Sequence, residues 1–222
     1  MNGEIKKIAI IGGTGKEGKG LAYKWGKAGY DIIIGSRKLE KARTAAELVN
    51  EMVGKQNVIG KTNSDAIREG DICILTVPFS AHKDMLHQLK DDLINKILID
   101  VTVPLVPPKF SVFQPPEAGS ALMEAVQILD ESTEVVDAFQ NISYENLLSD
   151  LDNACDILVC GSKKEIRQLV IGLIEGAGMT AWDAGPIENS VVVEGMTSVL
   201  FGINKQNDTK SAGIRITGVI RR

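Results

Sequence analysis

The stretch that decides the fold spans residues 8–18 and reads Ile8-Ala9-Ile10-Ile11-Gly12-Gly13-Thr14-Gly15-Lys16-Glu17-Gly18. It begins with an apolar run typical of a buried strand and continues into a helix-like segment. Between the two lies a Gly-x-Gly-x-x-Gly pattern at Gly13, Gly15 and Gly18. A strand, a glycine turn and a helix in this order form the fingerprint of a dinucleotide-binding unit. The sequence therefore predicts a Rossmann-type fold.

A second apolar run, Ile32-Ile33-Ile34, ends where such a fold contacts the adenosine ribose. An acidic residue at this point would bind the ribose hydroxyls of NAD. This chain instead has Ser36 and Arg37, with Lys41 close behind. A hydroxyl and cationic side chains suit a 2′-phosphate. We therefore expect an NADP site in which Ser36, Arg37 and Lys41 bind the 2′-phosphate.

The three glycines of the pattern have different predicted roles. Gly13 allows the tight turn, Gly15 lets the backbone approach the pyrophosphate, and Gly18 lets the helix pack against the sheet. Backbone amides at the positive end of the helix dipole would then bind the phosphates. They belong to Thr14, Gly15, Lys16 and Glu17. We expect Glu17 to contribute its amide alone, with its side chain pointing outward.

Strand-like and helix-like segments alternate along the chain. Strands are predicted at 6–12, 30–35, 58–61, 72–78, 97–101, 134–139 and 157–160, and helices at 15–28, 38–53, 80–93, 117–129, 165–177 and 188–204. This alternation predicts an α/β, doubly wound parallel sheet with a smaller, mainly helical C-terminal part. We expect residues 1–150 to form an NADP-binding Rossmann domain and residues 151–222 to close the substrate cleft.

Two valine–proline pairs, Val77-Pro78 and Val103-Pro104, follow strands that should flank the nicotinamide. Apolar side chains there would press on one ring face and exclude water. The alternative is that each proline merely ends its strand. We expect Val77, Pro78 and Val103 to contact the cofactor.

No acid–base set can be paired by spacing. The candidates are scattered along the chain: His82, His87, Asp137, Asp183 and Glu194. Hydride transfer between two redox cofactors depends on stacking and orientation more than on acid–base side chains. We therefore predict no catalytic side chain and no metal site.

Composition narrows the function classes. The net charge of −4 argues against a general nucleic-acid binder, and no apolar run approaches the length of a membrane span. The three cysteines, Cys73, Cys155 and Cys160, suit buried reduced thiols. A predicted core strand starts within the first residues, which leaves no room for a signal peptide. We expect a cytoplasmic protein that does not bind nucleic acid or membranes.

Several motifs resemble the NADPH-dependent reductases of coenzyme F420, an 8-hydroxy-5-deazaflavin hydride carrier. They are Gly12-Gly13-Thr14-Gly15, Gly35-Ser36-Arg37 with Lys41, Leu75-Thr76-Val77-Pro78, and Asp183-Ala184-Gly185-Pro186 with Asn189-Ser190. The resemblance extends over about residues 6–205 and implies a homodimer. It also implies NADP(H) and coenzyme F420 as redox partners, with direct hydride transfer between stacked rings.

One stretch departs from the family pattern. After the sixth strand the family carries a His-Thr-Ile-Pro-like sequence bordering the deazaflavin, where this chain has Gln140-Asn141-Ile142-Ser143. Two other functions therefore stay open. One is an NADPH-dependent reductase of a flavin, a quinone or a small carbonyl or imine. The other is a non-catalytic NADP-sensing module.

Overall fold

Eight strands alternate with helices, and the computed structural model describes them within residues 5–149 and 155–219. The strands are β1 (Lys7–Ile11), β2 (Asp31–Ser36), β3 (Val58–Thr62), β4 (Ile72–Leu75), β5 (Ile97–Asp100), β6 (Glu134–Asp137), β7 (Asp156–Gly161) and β8 (Thr180–Gly185). The helices are α1 (Lys16–Ala28), α2 (Leu39–Val53), α3 (Asn63–Glu69), α4 (Phe79–Leu89), α5 (Ala121–Ile128), α6 (Tyr144–Leu148), α7 (Lys164–Glu175) and α8 (Ser190–Gln206), with a 3₁₀ turn at Ile187–Asn189.

The strands form one sheet in the order β3-β2-β1-β4-β5-β6-β7-β8. All neighbouring pairs are parallel except β6 and β7, which are antiparallel. Strand order reverses between β1 and β4, and ligands of open α/β sheets bind in the crevice at such a point. The predicted Rossmann-type α/β fold is confirmed.

Both faces of the sheet are covered, which explains the unbroken apolar run of β1. Ile8 and Ile10 pack with Trp25 of α1 on one face, while Ala9 and Ile11 belong to the apolar cluster on the other face. All five of these side chains are fully buried. Packing on two sides fixes the position of β1, and with it the turn that follows.

The C-terminal part shares the sheet with the N-terminal part. Most of its regular structure is helical, as predicted, but it also contributes β7 and β8. Strand β8 was not predicted from the sequence. The predicted boundary at residue 150 lies outside the described residues, and the division into two domains stays a prediction.

Three further features bear on the expectations. Helix α5 begins at Ala121 and not near 117, because the Ser120 side chain caps it by accepting a hydrogen bond from the Met123 amide.

The three cysteines are buried free thiols, as predicted, and burial raises the pKa of each. Within residues 5–149 and 155–219, every helix is too short or too polar to cross a bilayer.

Candidate functional site

A cavity of about 1040 Å³ opens at the carboxyl ends of β1, β4, β5 and β6. Its walls come from the glycine turn, from the segments after β4 and β5, from the segment after β6 and from one face of α8. The α8 side chains in it are Thr197, Leu200, Phe201, Asn204 and Lys205. This volume is at the upper end of the range for small-molecule sites. It suits two ring systems better than one.

The glycine turn is shaped by close contacts that leave little room for side chains. Gly12 adopts a left-handed φ of 68°, and the Gly13 amide donates to the carbonyls of Ile10 and Gly35. A Cβ on Gly18 would lie 2.5 Å from the Gly13 Cα, so only glycine lets α1 start this close to the turn. The Asn63 side chain at the end of β3 accepts a hydrogen bond from the Gly12 amide, which the sequence did not indicate.

Gly15 differs from its neighbours because a Cβ there would meet no atom within 4 Å. It lines the cavity together with Lys16 and Glu17. Gly15 is also the N-cap residue of α1, and no side chain caps the helix. The first amides of α1 are therefore available to an anion, as the fit of a pyrophosphate requires.

The side chain of Glu17 does not point outward, which corrects the prediction. One carboxylate oxygen is buried without a hydrogen-bond partner. Burial, reinforced by nearby Glu145, raises the pKa of Glu17 to about 8. Lys16 lies over the ring of Tyr144, with its Nζ 4.8 Å from the ring centre. The contact between Lys16 and Tyr144 thus connects the phosphate end of the cavity to α6.

The predicted 2′-phosphate residues lie at the end of β2, outside the cavity lining. Ser36 is buried, and its Oγ accepts a hydrogen bond from the Lys38 amide. Arg37 and Lys41 are exposed. Within the part of the chain that the structure describes, neither forms an ion pair, so both cations face solvent beside the glycine turn.

The predicted nicotinamide residues Val77, Pro78 and Val103 all line the cavity. Val77 also packs against the turn, since a Cβ on Gly12 would lie 2.7 Å from its Cγ1. Gly13, Thr14 and Gly18 are not in the lining and form the turn behind it. The structure therefore brings six of the twelve predicted residues into one cavity: Gly15, Lys16, Glu17, Val77, Pro78 and Val103.

A buried polar network behind the cavity was missed from the sequence. His82 is fully buried on α4; its Nε2 lies 2.6 Å from Asp100 and its Nδ1 2.8 Å from Glu124. The Glu194 carboxylate, also fully buried, accepts hydrogen bonds from the amides of Ala121 and Leu122 at the start of α5. The partners of His82 are 18 and 42 residues away in sequence, so spacing gives no signal of them.

The other scattered candidates have separate environments. His87 is exposed on α4, and Asp183 pairs with Arg167 at 2.6 Å. Asp137 is fully buried at the end of β6, where its carboxylate accepts a hydrogen bond from Gln140. Only Asp137 and Glu194 of the candidate set therefore share the environment of His82.

The pKa values in the network follow from burial and from neighbouring charges. Burial alone would lower the pKa of His82, but Asp100 and Glu124 outweigh it and raise that pKa to about 9. Burial raises the pKa of Glu194 to about 8, against the two amides that favour its ionised form. Burial together with Glu194 raises the pKa of Asp137 well above its ordinary value. These shifts favour the protonated imidazole at neutral pH and favour the neutral form of the Asp137 carboxyl.

In the wall at residues 139–145, the side chains of Gln140 and Asn141 are buried and hydrogen-bonded within the protein. The Gln140 amide nitrogen donates to the Asp100 carbonyl at 2.7 Å and to Asp137. The Asn141 amide nitrogen donates to the Asp156 carbonyl. Phe139 has a left-handed φ of 76°, a strained conformation for a bulky residue. The amide nitrogens of Gln140 and Asn141 are thus engaged within the protein, whereas the buried Gln140 Oε1 has no hydrogen-bond partner among the described residues.

Comparison with known proteins agrees with this geometry. Residues 7–104 match the family described as NADP oxidoreductase, coenzyme F420-dependent. An F420-dependent NADP reductase from Methanocaldococcus jannaschii is 41% identical over 96% of this chain and 99% of its own length. One from Methanothermobacter thermautotrophicus is 37% identical over 97% and 96%.

Solved structures show the same fold. A crystal structure from an Arthrobacter species superposes with a TM-score of 0.80, covering 96% of this chain and all of the other at 17% identity. At that identity it supports the fold alone, whereas the full-length sequence similarity to curated relatives identifies the family. The chain belongs to the F420-dependent NADP reductases.

Proposed function

We propose that this protein transfers a hydride between NADP(H) and coenzyme F420. The observation that carries the proposal is the 41% identity, over almost the whole of both chains, to a protein named F420-dependent NADP reductase. The cavity supports it, because it joins an uncapped helix N-terminus to an apolar space large enough for two stacked rings. Residues 1–150 would bind NADP, and residues 151–222 would close the cleft through α8.

The glycine turn supports a binding position for the phosphates of NADP at one end of the site. The amides of Thr14, Gly15, Lys16 and Glu17 would hold the pyrophosphate at the positive end of α1. Ser36, Arg37 and Lys41 would bind the 2′-phosphate at the end of β2. Arg37 and Lys41 are exposed and lie outside the cavity lining, as expected for residues that contact the adenosine half of a dinucleotide lying across the sheet edge.

The ring end follows from the apolar lining. Val77, Pro78 and Val103 would contact the nicotinamide and keep water from its reacting face. When bound, the deazaflavin supplies a ring that accepts or donates a hydride without radical steps. The protein's part is then to hold two rings in contact between the segments after β4 and β5, the wall after β6 and helix α8.

The test is oxidation of NADPH by purified protein in the presence of coenzyme F420, followed by the loss of deazaflavin absorbance. Loss at a catalytic rate supports the proposal. Tight NADPH binding without that loss, but with turnover of a flavin, a quinone or a small imine, would favour the alternative reductase. Binding without turnover of any acceptor would favour a sensing module.

We further propose a cytoplasmic homodimer. Three buried free thiols fit a reducing compartment. Helix α8 exposes Val192, Val199 and Ile203, with exposed fractions of 66%, 59% and 42%. Their spacing of seven and four residues places them on one side of the helix. An apolar stripe on the same helix that lines the cavity suits a subunit interface.

A further inference from the structure

Three buried carboxyl groups, Asp100, Asp137 and Glu194, form what we call the acid cluster. Each of these residues is fully buried, although they come from β5, β6 and α8. Asp100 accepts from His82, and burial and mutual repulsion connect all three, since Asp100 acts on Glu194 and Glu194 acts on Asp137. Burying several acids together in a protein interior lowers the stability of the fold, so the acid cluster calls for a functional explanation.

The acid cluster lies directly behind the cavity wall. The Thr102 amide, in the wall after β5, donates to Asp100 at 2.9 Å. Gln140, in the wall after β6, donates to Asp137. Thr197 also lines the cavity, one turn along α8 from Glu194. Asp100 and Asp137 are thus each hydrogen-bonded to a residue of the cavity wall, and Glu194 lies one helical turn from such a residue.

Little positive charge balances the acid cluster. The His82 imidazole is the cation that contacts the acid cluster, and it also contacts Glu124. Within residues 5–149 and 155–219, no lysine or arginine is hydrogen-bonded to the three carboxyl groups. When a second carboxyl group of the acid cluster ionises, the region behind this wall therefore carries an excess of negative charge.

We propose that the acid cluster sets the preference of the site for oxidised over reduced nucleotide. The nicotinamide ring of NADP⁺ is positively charged, whereas that of NADPH is neutral, and the rest of the two molecules is identical. Negative charge behind the wall stabilises the charged ring selectively, because screening is weak in a buried site. The inference rests on the proposed function, in which the nicotinamide lies beside Val77 and Val103.

The preference depends on pH through Glu194. The titratable and polar groups around Glu194 come from five elements. They are His82 on α4, the amides of Ala121 and Leu122 and the carboxyl of Glu124 on α5, Asp100 on β5, Asp137 on β6 and Cys160 on β7. Ionisation of Glu194 near pH 8 adds negative charge, and loss of the His82 proton near pH 9 acts in the same direction. The preference for NADP⁺ therefore increases as pH rises.

The experiment measures the Kd of NADP⁺ and of NADPH from pH 7 to pH 9.5, with the intact protein and no acceptor. The ratio of the NADPH Kd to the NADP⁺ Kd should rise about three- to tenfold across that range, the size expected for one charge roughly 10 Å away under partial screening. Glu194→Gln should remove the part of the rise centred near pH 8 and leave the part near pH 9 that comes from His82, while Glu165→Gln, an exposed acid on α7, should leave the whole rise intact.

A second measurement needs no variant. By linkage, binding of NADP⁺ at pH 8 should release more protons than binding of NADPH, as calorimetry in buffers of different ionisation enthalpy reports. A ratio that is flat with pH, or equal proton release by both nucleotides, overturns the inference while leaving the proposed function standing. Failure of either nucleotide to bind would instead overturn the proposed function.

Discussion

At the scale of single residues, Arg37 is the clearest test of the cofactor. Arg37→Ala should weaken NADPH binding by about 1–3 kcal/mol, the range for hydrogen bonds to charged groups, and leave NADH binding nearly unchanged. The measurement is the Kd of each nucleotide by fluorescence titration. Arg43→Ala is the matched control, since Arg43 is an exposed arginine six residues further on, in α2, but pairs with Glu40. Equal losses for both nucleotides would contradict a role of Arg37 at the 2′-phosphate.

Glu17 gives a second prediction at this scale, concerning stability. The carboxyl of Glu17 holds its proton up to about pH 8 in the folded protein, whereas the unfolded chain releases it near the ordinary pKa of a glutamate, 4.5. The folded state binds more protons between these values, so this group destabilises it progressively as pH rises through that window. Glu17→Gln should therefore gain stability relative to wild type from pH 4.5 to pH 8, by an amount on the order of 5 kcal/mol, and hold that gain above pH 8.

Denaturant unfolding of both proteins across this pH range measures the effect of Glu17. Glu47→Gln, an exposed acid on α2, should run parallel to wild type at every pH. A constant difference between Glu17→Gln and wild type would mean that the carboxyl is not buried in solution.

At the scale of elements, the start of α1 can be separated into packing and binding by two glycine substitutions. Gly18→Ala places a Cβ 2.5 Å from the Gly13 Cα and should cost about 1–3 kcal/mol of stability by overpacking. Gly15→Ala meets no atom within 4 Å and should stay within about 0.5 kcal/mol of wild type. Its Cβ would nevertheless occupy the space next to the uncapped amides, so NADPH binding should weaken.

Thermal unfolding and NADPH titration of the two glycine variants test this division. If Gly15→Ala binds NADPH as wild type does, the pyrophosphate does not lie against this turn. If Gly18→Ala is as stable as wild type, the close approach of α1 to the turn is not what requires glycine at that position.

Elements also show why the sequence predicted some of the fold and not the rest. The strand β1 was evident because both of its faces are buried, which leaves an unbroken apolar run. The strand β8 reads Thr180-Ala181-Trp182-Asp183-Ala184-Gly185 and has only Ala181 buried, because it lies at the sheet edge. An edge strand with polar and small residues gives neither the apolar run nor the alternation on which a prediction depends.

The sequence likewise predicted one part of the candidate site and missed another. The glycine turn is local in sequence, so its position in the cavity follows from its own residues. The acid cluster was missed because β5, β6 and α8 meet only in three dimensions, with Glu194 and Ala121 separated by 73 residues. The burial of Glu17 was missed because Glu17 lies near Glu145 of α6, an element that the sequence did not predict.

At the scale of the whole molecule, the sheet joins the two ends of the cavity into one frame. The glycine turn follows β1 near the centre of the sheet, while α8 follows β8 at its far edge. The two meet across the cavity, which α8 enters through Thr197, Leu200 and Phe201. A contact on the outer side of α8 would therefore fix the position of the cavity wall as well as hold two chains together.

This geometry leads to a prediction about assembly. Val199 is 59% exposed at the middle of the apolar stripe on α8, where a charge would be desolvated in an interface but not in a free helix. If the protein is the homodimer proposed above, Val199→Glu should sediment as a monomer in sedimentation velocity, and it should raise the KM for the acceptor because the α8 wall loses its support. Leu48→Glu, on the exposed side of α2 near the other sheet edge, should remain dimeric. A wild-type protein that sediments as a monomer, or a Val199→Glu protein that stays dimeric, would exclude this face as the interface.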